Sequence, residues 1–265
     1  IGWITGLFRM TKRIVILHLI PTLEIGGAER QLSLLCMEQA KQGYSIHIAL
    51  RRGGGFVDLI DQKNVSIHTL GDYSGLNPLL LFKLNRLISA ISPTIIQTWL
   101  TQMDIVGGTA ALLNRVPWIA TERTSLAGYK NERRVYNFLR AKLLMCSSGI
   151  VANSIDGMGM WQKNIPSHLV TFIGNAVDFV GISQSIADRA LIDDRNTVLL
   201  VGRLIDSKGF SEVVDAISLL PNDLHLTFKI IGQGPLANIL LAQIEKHDLV
   251  GRVQVVQDSP DWWSE

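Results

Sequence analysis

The sequence predicts an α/β protein built from two consecutive doubly wound, Rossmann-like units, the second of them incomplete. Three features point there. Short apolar runs of strand length alternate with helix-length amphipathic stretches from Arg13 to Val256, the pattern of parallel sheet covered on both faces. The rhythm breaks once, across polar residues 178–195, and then restarts. Charge changes sign at the same break. Residues 1–177 carry 18 Lys and Arg against 10 Asp and Glu, a net of +8, while 178–265 carry 7 against 13, a net of −6. Two domains follow, 1–177 and 178–265.

The elements follow in chain order. Arg13–Ile20 is a nearly continuous apolar run, suited to a strand buried on both faces. A loop with Pro21 and Gly26-Gly27 leads to a helix from Ala28 to Gln42, which Gly43 ends. Strands are predicted at Tyr44–Leu50 and Val65–Leu70, then an amphipathic helix over Pro78–Ile91 stopped by Pro93. Thr94–Leu100 is a fourth strand, Met103–Asn114 a helix of small residues, and Trp118–Thr121 a fifth strand. Asn131–Met145 has Val135, Phe138, Leu139 and Leu143 at the spacing of one buried helical face. Gly149–Asn153 and Leu169–Ile173 complete the first unit. The second holds strands at Thr197–Val201, Leu226–Ile231 and Val253–Val256, with helices at Ser211–Leu219 and Leu236–His247.

Composition narrows the classes. At 47% apolar and 18% charged, the 265-residue chain is globular, not disordered. No apolar run approaches the roughly 18 residues of a membrane span. Cys36 and Cys146 cannot make a disulfide framework, suit a reducing compartment, and both read as buried small hydrophobes. The basic half lacks the density and aromatic patterning of a nucleic-acid binder. The six histidines show no metal-ligand spacing. Met10 reads as a true start preceded by a translated leader with no signal-peptide character, and the stop after Trp262-Trp263-Ser264-Glu265 reads as a fragment's end. The two tryptophans there are expected in a sheet or an interface.

Three strand-to-helix corners could carry chemistry. Gly26 and Gly27 follow the first strand, where missing side chains and a helix N-terminus suit phosphate. Their spacing is not the dinucleotide-binding G-x-G-x-x-G. Arg203 and Lys208 flank the end of the second unit's first strand; a forked guanidinium and a point-charge ammonium together suit a diphosphate. Gly232, Gly234 and Pro235 form a third corner, where backbone could meet a base or ribose. Each alone reads as a turn or a pair of solvated charges.

Together, in order and spacing, they resemble family 4 of the retaining glycosyltransferases, which have the two-Rossmann-domain GT-B architecture. The likeness runs through Gly26–Arg30, Val151–Ser154 with Trp161, Ile173–Asp178, the Val201–Phe210 segment and Gly232–Pro235. It implies an acceptor-side first domain and a nucleotide-sugar donor domain. Arg203 and Lys208 would neutralise the donor diphosphate, Gly26 and Gly27 would pack near it, and Gly232–Pro235 would border the nucleoside. No metal or other cofactor is implied, and no Asp-x-Asp occurs. Many relatives carry a histidine where this chain has Arg123, which stays protonated and can orient a sugar or phosphate but cannot act as a base. The family's paired glutamates lie beyond Glu265, so the fragment is expected to be inactive.

The resemblance implies a hexosyl-type transferase acting with retention from a uridine-linked donor onto a glycan or lipid-linked acceptor, as in bacterial polysaccharide assembly. It places the protein in the cytoplasm. The helix around Tyr129–Met145, with Lys130, Arg133, Arg134, Arg140 and Lys142, adds an expected peripheral contact with the inner membrane face. The rival readings are a non-catalytic sugar-nucleotide-binding or scaffolding subunit and a periplasmic-type binding protein.

Overall fold

The computed structural model describes residues 13–24, 26–54, 57, 60, 63–73, 76–123, 134–177, 183 and 196–257. The linker over 178–195 (residue 183 apart), the proposed leader and the terminal tryptophans lie outside the described residues. The chain divides into two compact units, Ile1–Ala176 and Val177–Glu265.

The first unit runs β1 (Val15–Leu19), α1 (Gly27–Lys41), β2 (Ser45–Leu50), β3 (Val65–Thr69), α2 (Pro78–Ile91), β4 (Ile95–Trp99), α3 (Leu100–Leu113) and β5 (Trp118–Glu122). It continues with α4 (Arg134–Leu144), β6 (Gly149–Ala152), α5 (Ile155–Gln162) and β7 (Val170–Phe172). Seven parallel strands form one sheet in the order β3-β2-β1-β4-β5-β6-β7. The order reverses between β1 and β4, and open sheets of this kind bind ligands beyond the carboxyl ends of their strands at such a point.

Alternation along β1 shows how the sheet is covered. Ile16 joins Leu32 and Cys36 of α1 in one core, while Leu17 and Leu19 join Leu80 and Leu84 of α2 and Met103 of α3 in another. Helix α2 begins as its sequence dictates: the Asn77 side chain accepts the Leu79 N–H, with Pro78 at the first position. Small residues matter most in α3, which is buried on most sides. A Cβ on Gly107 would fall 2.5 Å from the Leu19 side chain, and one on Gly108 2.5 Å from the Trp118 ring.

Two expectations are overturned here. On α4 three of the four residues expected inside are outside: Val135 is 64% and Phe138 62% exposed, and Leu139 also faces solvent, while Leu143 is partly buried against the core. Arg140 takes the buried place at 1% exposure, beside Leu144. The reason is electrostatic, since two buried carboxylates beneath the helix require a cation. Cys146, just past α4, is exposed, whereas Cys36 is buried and burial pushes its thiol pKa up.

The second unit holds β8 (Thr197–Val201), α6 (Phe210–Ser218), β9 (Thr227–Ile231), α7 (Ala237–Lys246) and β10 (Val253–Val256). Its three strands are parallel in the order β10-β9-β8. Val214 and Ile217 of α6 and Leu240 and Ile244 of α7 pack with Phe228, Ile230 and Val253 into its core.

Candidate functional site

At the carboxyl edge of the first sheet, Arg123 leaves β5 and lays its guanidinium over the Trp99 ring, 4.8 Å from the centroid. Trp99 ends β4 and is itself fixed: its indole N–H donates to His18 Nδ1 at 3.3 Å, and His18 Nε2 donates to Gln39 Oε1 at 2.8 Å. Burial lowers the His18 pKa to about 4, so the ring stays neutral and can accept from the indole. The turn out of β4 is tight, with Leu100 at φ 68, a left-handed conformation that costs a branched residue about 1–2 kcal/mol.

Arg123 Nη1 donates to Asn175 Oδ1 at 2.6 Å, and Asn153 Nδ2 reaches the same oxygen at 3.4 Å. The next residue, Ala176, is gripped from α1. Gln31 Nε2 donates to its carbonyl at 2.9 Å, while its N–H donates to Gln31 Oε1 at 2.7 Å. One amide side chain thereby ties the segment after β7 to the helix that follows Gly26-Gly27.

Those two glycines differ. A Cβ on Gly26 would meet the Glu29 carboxylate at 2.3 Å, whereas Gly27 is exposed with nothing within 4 Å. The N-terminus of α1 is thus open at Gly27, with the acidic Glu29 in its first turn, where a carboxylate already answers part of the helix dipole.

Beneath Arg123 lies a buried ionic network. Arg140 donates from Nε at 2.7 Å and from Nη2 at 2.6 Å to Asp104 Oδ2, and from Nη1 at 3.1 Å to Glu122 Oε2. The Trp161 indole donates to the same Glu122 oxygen at 2.7 Å. Asp104 Oδ1 accepts from the Thr98 hydroxyl, which accepts in turn from the Trp118 indole. Burial nonetheless raises the Asp104 pKa to about 6, outweighing the arginine beside it. Glu122 precedes Arg123, so the network anchors the strand end from which Arg123 projects.

In the second unit, Arg203 and Lys208 are both exposed after β8, and their side chains have no hydrogen-bond or ion-pair partner among the described residues. Lys208 closes a single 3-10 turn, and Gly209 at φ 71 is the N-cap of α6. The Gly232–Pro235 corner is zipped to this loop: Leu204 N–H donates to the Gln233 carbonyl at 2.8 Å, and Leu236 N–H to the Leu204 carbonyl at 3.1 Å. A Cβ on Gly232 would sit 1.8 Å from the Gly202 carbonyl oxygen, and one on Gly234 2.3 Å from that of Leu204. Both glycines are demanded by the neighbouring backbone. Pro235 is exposed at the tip. Among the described residues no three His, Cys, Asp or Glu side chains gather as a metal site.

Residues 25–179 match the family model described as Glycosyltransferase Family 4, and residues 182–264 match the one described as Glycosyl transferases group 1. The chain belongs to glycosyltransferase family 4. No curated protein sequence matches it. Among solved structures, it is similar to HepE from Anabaena in complex with UDP-glucose, at 20% identity and TM-score 0.75, over 94% of this chain and 70% of that one. It is also similar to a glycosyltransferase from Rickettsia africae, at 14% identity and TM-score 0.70, over 96% and 70% of the two chains. A third likeness is to WaaG, a glycosyltransferase involved in lipopolysaccharide biosynthesis, at 12% identity and TM-score 0.66, over 94% and 71%. At these identities the likeness speaks for the fold, which is that of the GT-B glycosyltransferases. The family 4 chain thus places its Arg123 cluster on one α/β unit and its Arg203–Lys208 pair on another.

The Arg140 network, the Gln31 grip and the short α5 were not read from the sequence. Ser154, whose hydroxyl accepts the Gly157 N–H, was the available signal for α5.

Proposed function

We propose that this family 4 glycosyltransferase transfers a hexosyl group from a uridine-linked donor onto a glycan or lipid-linked acceptor with retention of anomeric configuration. The observation that carries the reading is the pair of cations, Arg203 and Lys208, beyond the carboxyl end of β8, whose side chains have no partner among the described residues, in a chain whose halves both match glycosyltransferase families. Breaking the donor's glycosidic bond leaves negative charge on the diphosphate. A forked guanidinium and an ammonium held there stabilise that charge more strongly in the transition state than in the ground state. The two backbone bonds of Leu204 to the Gly232–Pro235 corner fix the chain next to Arg203. The donor complexes of HepE support uridine as the base.

The exposed face of α4 supports the acceptor class. Val135 and Phe138, and Met145 just past the helix, face solvent, with Lys142 over the Phe138 ring at 5.7 Å and Arg134 also exposed. Apolar residues among cations suit an anionic membrane surface, where a lipid-linked acceptor would be presented from the cytoplasmic side in polysaccharide assembly. Calorimetric titration tests the donor assignment: UDP and UDP-glucose bind and GDP binds more weakly. Equal affinity for UDP and GDP would remove the uridine assignment, and no binding of either would remove the donor site.

A further inference from the structure

We propose that Arg123 is an oxyanion-binding residue, taking a phosphate or carboxylate group of a substrate where a neutral sugar hydroxyl would otherwise sit. The proposal rests on the glycosyltransferase reading only in taking that anion to belong to a substrate.

Arginine carries five N–H donors and no acceptor. Among the described residues, Arg123 spends one of them on Asn175, and its Nε is buried with no partner. No carboxylate answers its charge: among the described residues it makes no ion pair, and neighbouring Glu122 is turned inward to Arg140 and Trp161. Burial draws its pKa down from the usual value without deprotonating it, the mark of a cation short of both water and a counter-charge. A half-buried guanidinium with no ion-pair partner among the described residues, at the ligand-binding edge of a parallel sheet, is costly to keep unless something anionic joins it.

The surroundings are built to hold that charge still. Trp99 carries the guanidinium on one face and is locked by His18 and Gln39. Asn175 is held on both sides along the chain, by the Ile173 N–H donating to the Ala152 carbonyl at 2.9 Å and by the Gln31 grip on Ala176. The Asn175 oxygen is already used by Arg123 and Asn153, which leaves its amide nitrogen as a further donor. Fixed donors with a net positive charge select an oxyanion over a hydroxyl, because only the oxyanion adds charge–charge attraction to the hydrogen bonds and can take a guanidinium's N–H groups two at a time.

The anion can come from the donor's diphosphate or from an acidic acceptor, and one experiment separates them. The Arg123 Nε–H cross-peak is assigned in full-length 15N-labelled protein by its loss in Arg123→Lys. It is then followed in wild-type protein through titrations with inorganic phosphate, glucuronate, UDP and neutral glucose. A saturable shift with phosphate or glucuronate but not UDP supports the proposal and assigns the anion to the acceptor. A shift with UDP supports it and assigns the anion to the donor. In Arg123→Gln the affinity for the active anion falls about tenfold, as for a lost charge-assisted hydrogen bond. If no anion moves the peak, or glucose moves it equally well, the proposal is overturned. Should UDP fail to bind while phosphate still shifts the peak, the Arg203–Lys208 assignment falls and this one stands. Because the peak is read in wild-type protein, conventional triple-resonance assignment replaces any variant that fails to fold.

Discussion

Asp104 sets burial against ion pairing, and the two make opposite predictions for stability against pH. Its carboxylate accepts two N–H bonds from Arg140 and a hydroxyl from Thr98, which on their own would depress its pKa. Complete burial wins and lifts it from 3.8 to about 6. Between those values the folded protein holds a proton that the unfolded chain has released, so stability falls as pH rises through this window. About two pH units at 1.36 kcal/mol each give a loss of about 3 kcal/mol, fully present above pH 6 and absent below pH 4. Other carboxylates change stability over the same range, so the measured quantity is a difference. Urea unfolding, followed by tryptophan fluorescence, is run on wild type and Asp104→Asn from pH 4 to pH 7. The stability of wild type relative to the variant should decline by about 3 kcal/mol across the window. A difference independent of pH, or one that grows with pH, would show that Arg140 prevails over burial and refute the reasoning.

Other outcomes follow from the same structure. Arg140→Met leaves Asp104 and Glu122 without their cation and should cost about 3–5 kcal/mol in the same unfolding assay. Arg115 is exposed at φ 55 just past α3, so Arg115→Gly should stabilise by about 0.5–1 kcal/mol and raise the melting temperature of the first unit. Gly232→Ala should unfold the second unit well below the wild-type temperature, since its Cβ collides with the Gly202 carbonyl; Gly27→Ala should leave the melting temperature unchanged, since its Cβ meets nothing within 4 Å. Phe138→Glu with Lys142→Glu should abolish sedimentation with anionic vesicles and leave binding to the donor unchanged.

The first unit's sheet was legible because its central strands β1 and β2, largely buried, are apolar on both faces. Thr197–Val201 and Val253–Val256 fall at their predicted limits, and so does the helix over Pro78–Ile91, where Asn77 and Pro78 announce the start. Helix α4 was misread for a physical reason. Periodicity assumes that apolar residues point inward, and nothing in the spacing of Val135, Phe138 and Leu139 reveals two buried carboxylates on α3 and β5 that need Arg140. The corner glycines were legible as glycines, but at Gly232 and Gly234 the close approach is to the neighbouring loop. The grip of Gln31 on Ala176 joins positions 145 residues apart, and no local pattern encodes such a contact. Arg123 stood out as a departure from its family; its stacking on Trp99 and its unpaired Nε came only with the fold.

The central claim is that Arg203 and Lys208 hold the donor diphosphate. Calorimetric titration of UDP into wild type, Arg203→Ala and Lys208→Ala tests it directly. Each variant should bind about tenfold or more weakly at low ionic strength, as expected for loss of a charge-assisted hydrogen bond to phosphate, with its melting temperature unchanged because both side chains are exposed. UDP affinity equal to wild type in both variants would contradict the account.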